Sequence, residues 1–269
     1  MSAPGATDRD YGRRRLPIAG FLIAAVLWLL IIQLVGLAVD DRADVVDGRI
    51  LTVSDLVWTF VVPLGAGCAF VYGLIAYLGW WRPLLHDPKP VRRWVWVVPA
   101  IFVVAIVLGI DYGGLADRGL AFTLVLLVVA TFVGFGEEGM FRCIGVTSLR
   151  RSGLSEAKVA LWSSVIFGLA HVSNVIGGDA RALAQAVVVS FAGYFFYLIR
   201  RVSRSNILNS VLHGLFDFTI ISGTQIIPAS TQAYPGALLA VLVYVICGIV
   251  LLVRRNRIEP ATTEPTAAR

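Results

Sequence analysis

Glu137 and Glu138 stand side by side in a run that is otherwise apolar from Leu120 to Ile144, with Arg142 one turn further on. Ionisable groups at membrane depth are costly, so they face a protein interior or a wet cavity and usually mark function. Two of the three histidines, His171 and His213, also fall inside apolar runs. A carboxylate beside an imidazole can activate water as a general base, and a second imidazole can steady an oxyanion. Those are the needs of amide hydrolysis. Glu137, His171 and His213 can equally bind a divalent metal such as zinc with one position open for water. Their spacing is not H-E-x-x-H, so no zinc motif supports that reading. No serine or cysteine has a recognisable nucleophile setting.

The local spacing assigns different tasks to these residues. Glu138 and Arg142 are four apart and share a helix face, with the glutamate on the favourable N-terminal side. Their pairing lowers the cost of burying either charge. Glu137 is turned by ~100° from Glu138 and is left for chemistry. Phe167 with His171, and His213 with Asp217, are also one turn apart on one face. The bland alternative is a buried ion network that locks helices together. It suits Glu138 and Arg142, but one arginine does not balance two carboxylates. His86 lies in a basic loop and is expected to be solvated.

The elements that must position these groups follow from composition. The chain has 269 residues, is 58% hydrophobic and 15% charged, and has a mean hydropathy of +0.80. That is the composition of an all-α polytopic membrane bundle, not of a soluble domain. About eight apolar stretches approach the ~20 residues that a bilayer crossing needs. They lie near 17–39, 52–80, 94–110, 120–149, 158–176, 182–199, 206–223 and 235–253. The net charge of +6 comes from basic loops that alternate with acidic or neutral ones. This alternation places both termini in the cytoplasm, excludes nucleic acid as a partner and makes the bilayer itself one. The three cysteines have no metal-ligand spacing and read as packing residues. The first stretch is too long for a signal peptide and reads as an uncleaved span. By depth, Glu137 and His171 each lie about 20 Å, and His213 about 10 Å, from the cytoplasmic ends of their helices at ~1.5 Å per residue. A shared cavity open to the cytoplasm is therefore expected.

The motifs Glu137-Glu138-x-x-x-Arg142, Phe167-x-x-x-His171 and His213-x-x-x-Asp217 resemble, in order, those of the CAAX prenyl endopeptidase and bacteriocin-processing (Abi) family of intramembrane proteases. Asn174, Gln185, Gly193 and the Ser205-Asn206-Ile207-Leu208 approach to the second histidine add to the likeness. It covers about residues 120–222. The resemblance implies that Glu137 activates water with His171 assisting, that Glu138 and Arg142 organise the site, and that His213 with residue 217 stabilises the oxyanion. Phe167 and Asn174 join the organising set. The family often has asparagine where this chain has Asp217, and an ionised aspartate cannot donate a hydrogen bond. Asp217 must then be protonated, orient His213, or help hold a metal. Family members are usually classed as metallopeptidases.

The expected organisation is a cytoplasmic segment at 1–16, N-terminal spans at 17–119, a catalytic membrane core at 120–222, a last span at 223–257 and a disordered cytoplasmic tail at 258–269. The expected function is hydrolysis of a peptide or membrane-protein substrate in a multi-pass protein of the bacterial plasma membrane. A non-catalytic adaptor or bacteriocin-immunity protein, or a proton-coupled transporter, would use the same cluster differently. Nothing in the sequence selects the substrate or the oligomeric state.

Overall fold

The computed structural model describes residues 14–44, 50, 52–175, 182–224 and 234–259, without the side chains of 174, 175 and 182. Among them there is no strand. Eight helices among the described residues overlap the eight apolar stretches: α1 (Ile18–Val39), α2 (Val53–Leu78), α3 (Val97–Gly109), α4 (Tyr112–Arg151), α5 (Glu156–Ala170), α6 (Ala182–Ser203), α7 (Asn206–Thr224) and α8 (Pro235–Val253). Helices α1, α2, α4, α6 and α8 are long and apolar enough to cross a membrane. Helices α3 and α5, at 13 and 15 residues, fall short of the ~20 a crossing needs. Helix α7 has the length but carries Asn206, Asn209, Ser210, His213 and Asp217.

Local chemistry explains several boundaries. Thr52 caps α2 in a reciprocal box with Asp55: its hydroxyl accepts from the Asp55 amide at 3.1 Å, and the Asp55 carboxylate accepts from the Thr52 amide at 2.8 Å. Pro63 follows a π-helical turn at Val57–Val61, the wider turn relieving the clash of its ring with the preceding carbonyl. Asp111 caps α4 through the Gly114 amide at 2.9 Å. Gly119, at φ 83°, breaks α4 and leaves the straight run from residue 120 that the apolar pattern marks.

Helix α1 packs along α2, α4 along α7, and α5 along α6, while α8 leans on α3 and α6. The outer faces are apolar: Leu22, Ile23, Leu34 and Leu37 of α1 and Leu238, Leu242 and Ile246 of α8 are exposed. On a water-soluble surface such faces would be an anomaly; lipid makes them ordinary. The pair that positions the site is α4 and α7. A methyl group on Gly134 would lie 2.6 Å from the Gly214 amide nitrogen, and one on Gly214 would lie 2.6 Å from the Ala130 carbonyl. The two backbones therefore touch, as small residues allow in membranes, and Glu138, one turn beyond Gly134, is carried against α7.

The residues expected on one side of the membrane meet one another. The Trp80 indole donates to the Arg14 carbonyl at 3.0 Å, Arg150 and Arg200 both grip Asp87, and the Arg92 amide donates to Ile258 at 2.9 Å. At the opposite end the Asp44 amide reaches Asp55 and Tyr234 bonds Gly223. Two expectations need correction. His86 is not simply solvated: it is half-buried, and its Nε2 accepts from Arg204 at 2.8 Å. Ile258 and Glu259, placed in the disordered tail, are anchored. Ile258 is buried, and Glu259 accepts from Arg201 at 2.6 and 2.9 Å. The rest of that tail, 260–269, lies outside the described residues.

Candidate active site

The site grows from a change in helical geometry. Helix α4 is α-helical to Glu137 and π-helical over Glu138–Gly145. Such wide turns are rare, cluster at functional sites, and loosen the regular backbone ladder. Helix α7 supplies the grip. The Asn206 amide donates to the Glu138 carbonyl at 3.0 Å, and the Asn209 amide donates to Glu138 Oε2. His213 Nδ1 meets Glu138 Oε1 at 2.8 Å. Asn206, Asn209 and His213 fall at i, i+3 and i+7, one stripe of a helix.

Arg142 closes the buried side. Its Nε lies 3.3 Å from Glu138 Oε2, its Nη2 donates to the Gly193 carbonyl at 3.0 Å, and its guanidinium lies 4.2 Å from the centre of the Phe167 ring. The Glu138–Arg142 pair expected from spacing is thus present. Gly193 brings its carbonyl there because α6 runs close to α5: a methyl group on it would lie 2.9 Å from Ser164 Cα.

His213 is the hub. Nε2 lies 3.3 Å from Asp217 Oδ2 and 3.7 Å from Glu137 Oε2, and the ring stacks on Phe196 at 4.1 Å. Glu137 and Glu138, expected to face different ways, therefore reach the same imidazole at its two nitrogens. His171 arrives from the end of α5. Its Nδ1–H donates to the Phe167 carbonyl at 3.0 Å, which leaves Nε2 free to accept. Phe167 lies between the two histidines, with ring centres 5.0 Å from His171 and 5.8 Å from His213. Among the described residues, His171 pairs with no carboxylate; the imidazole at Glu137 is that of His213. The side chain of Asn174 lies outside the described residues.

Exposure divides the cluster into two layers. Glu138 and Arg142 are fully buried, whereas the Glu137 and Asp217 side chains are 16% and 23% exposed. The sealed layer holds geometry, and the open layer can meet a reactant. For a metal the donor set fits poorly. Among the described residues no three His, Cys, Asp or Glu side chains are gathered to hold an ion, and both His213 nitrogens already face carboxylates.

Residues 119–219 match the family model of the Rce1-like type II CAAX prenyl endopeptidases. The chain carries a domain of that family. No curated protein matches the chain, and no solved structure does. The Rce1-like domain contains every residue of the cluster, from α4 to Asp217. It is a domain of intramembrane CAAX-type proteases, and with five apolar helices of membrane-crossing length the chain is a multi-pass membrane protein. Asn209 carries no motif of its own, and Asn206 belongs only to the family likeness; their spacing to His213 is the signal that marks them. Phe196 had none, being one of fourteen phenylalanines.

Proposed function

We propose that this protein hydrolyses a peptide bond of a membrane-associated substrate with water activated by Glu137. The observation that carries the reading is His213, held through Nδ1 by buried Glu138 and turned through Nε2 toward the open carboxylates. Glu137 takes a proton from water as the oxygen attacks the carbonyl carbon. The free Nε2 of His171 accepts a hydrogen bond from that water. A doubly protonated His213 donates from Nε2 to the developing oxyanion, while Nδ1–H stays on Glu138. Glu137 then returns the proton to the leaving amine, and the C–N bond breaks. Asp217 acts by orienting His213, a role that needs no proton on the aspartate.

The same reading places the chain in the bacterial plasma membrane with eight crossings and both termini cytoplasmic. Contacts among the N-terminal segment, the basic connections and the C-terminal turn favour an even number of crossings, because those residues must share one side. The basic bias of that side favours the cytoplasm.

The test is cleavage by purified protein in liposomes, using membrane peptides that include a prenylated CAAX peptide. Wild type should cleave, and Glu137→Gln and His171→Ala should not. Unchanged cleavage by both variants would remove the mechanism. Metal content is measured on the same preparation: stoichiometric zinc whose removal abolishes cleavage would replace Glu137-activated water by metal-bound water.

A further inference from the structure

A cavity of about 620 Å³ lies away from the histidines, where α5 and α8 diverge over a floor of α6. Its size is within the ~300–1,000 Å³ of small-molecule sites. The shaft is apolar: Ala157, Ala160 and Leu161 of α5, Phe191 and Leu198 of α6, and Leu252 of α8 line it. Two serines in the shaft present no free donor, since Ser164 bonds the Ala160 carbonyl at 2.7 Å and Ser190 bonds the Ala186 carbonyl at 2.8 Å. From Arg201 at the mouth to Ser190 the shaft follows eleven residues of α6, about 16 Å of helix.

The mouth is polar and lies at the end of the bundle where the basic connections gather. Its charges are mostly spoken for. Glu156 is held by Arg150 at 2.8 and 2.9 Å and by the Tyr197 hydroxyl at 2.5 Å. Arg201 is held by Glu259. Arg255 is exposed and pairs with no carboxylate among the described residues. With Glu156 held by Arg150 and Glu259 by Arg201, Arg255 is the cation at the mouth left without a carboxylate among the described residues.

We propose that this cleft is a binding site for an anionic glycerophospholipid, with an acyl chain in the shaft and the phosphate at Arg255. An apolar shaft opening beside a guanidinium without a carboxylate partner at a membrane interface matches an amphiphile with a negative head. The leaflet at the basic end supplies such lipids at high local concentration. The site is separate from the peptidase cluster and does not depend on that activity.

Native mass spectrometry of the full-length protein, titrated with phosphatidylglycerol and with phosphatidylcholine, tests the assignment. The first phosphatidylglycerol should bind at least about fivefold tighter than phosphatidylcholine, the weight of one basic residue at an anionic surface. Arg255→Ala should abolish that preference, and Ala157→Trp should weaken binding of both lipids. Both positions are exposed, and melting curves verify that the variants fold. Equal binding of the two lipids to wild type would overturn the proposal without reference to any variant. So would a preference that survives Arg255→Ala, or binding unaffected by Ala157→Trp.

Discussion

Two charge clusters among the described residues are balanced in opposite ways. At the basic end, Arg150, Arg200 and Arg201 meet Asp87, Glu156 and Glu259, cation for anion. Arg150 binds both oxygens of Glu156 and still reaches Asp87 at 2.9 Å. In the bundle, Glu137, Glu138 and Asp217 face one guanidinium and one imidazole. A balanced network ties elements together and leaves nothing over. An excess of acceptors converging on His213 leaves carboxylate oxygen over, in the part-exposed layer of Glu137 and Asp217, to work on a third molecule. The difference teaches that balance, more than burial, separates a brace from a reactive site.

That contrast is sharpest in activity. Glu137→Gln should cost ~10²–10⁴-fold in cleavage rate, the usual weight of a general base, with an unchanged melting temperature in detergent. Asp87→Ala should do the reverse. Removing the aspartate leaves the buried Arg200 guanidinium without a carboxylate, while Arg150 keeps Glu156, and breaking such a pair costs about 3–5 kcal/mol; a thermal melt would show it. Cleavage per folded molecule should survive. If Asp87→Ala left the melt unchanged, the basic-end network would not be a brace. Asn209→Ala comes next. It removes a hydrogen bond to a charged group, worth ~1.5–3 kcal/mol, and loosens the carboxylate that holds His213. We expect kcat to fall about tenfold, the equivalent of ~1.4 kcal/mol in the barrier, with Asn209→Gln recovering part of it. A change in KM alone would mean that Asn209 does not act through His213.

The sequence was legible where periodicity and cost decide. The eight longer helices among the described residues follow from apolar runs, and Gly119 explains why α4 straightens only from residue 120. Glu137, Glu138, Arg142, His171 and His213 announce themselves because charge in an apolar run demands a reason. Partnership was less legible. An α-helical wheel turns Glu137 away from Glu138, but the Gly134–Gly214 contact sets His213 close enough for both side chains to reach it. That interhelix distance is not written in local spacing. Asp87 is hidden for a similar reason: its loop reads as a topology signal of Arg82, Lys89, Arg92 and Arg93, while the lone acid among them is the one buried.

The smallest expected effect refines the basic-end network itself. The Glu259 side chain is half exposed, at 51%, so water screens its pair with Arg201, and Glu259→Gln should cost only ~0–1 kcal/mol. Asp87 and Glu156 differ. Burial opposes their ionisation, but Arg200 and Arg150 hold Asp87, and Arg150, Arg201 and the Tyr197 hydroxyl hold Glu156, below their ordinary values of 3.8 and 4.5. Carboxyls held low in the folded state bind fewer protons than in the unfolded chain. Their stabilisation is complete above those ordinary values and is lost as pH falls through the folded ones. Melting temperature should therefore hold from neutral pH down to about 5 and drop below about 4. Glu259→Gln should leave that acid limb in place, whereas Asp87→Asn should reduce it to the share that Glu156 carries. An acid limb removed by Glu259→Gln would move the centre of the brace from the buried aspartate to the exposed C-terminal turn.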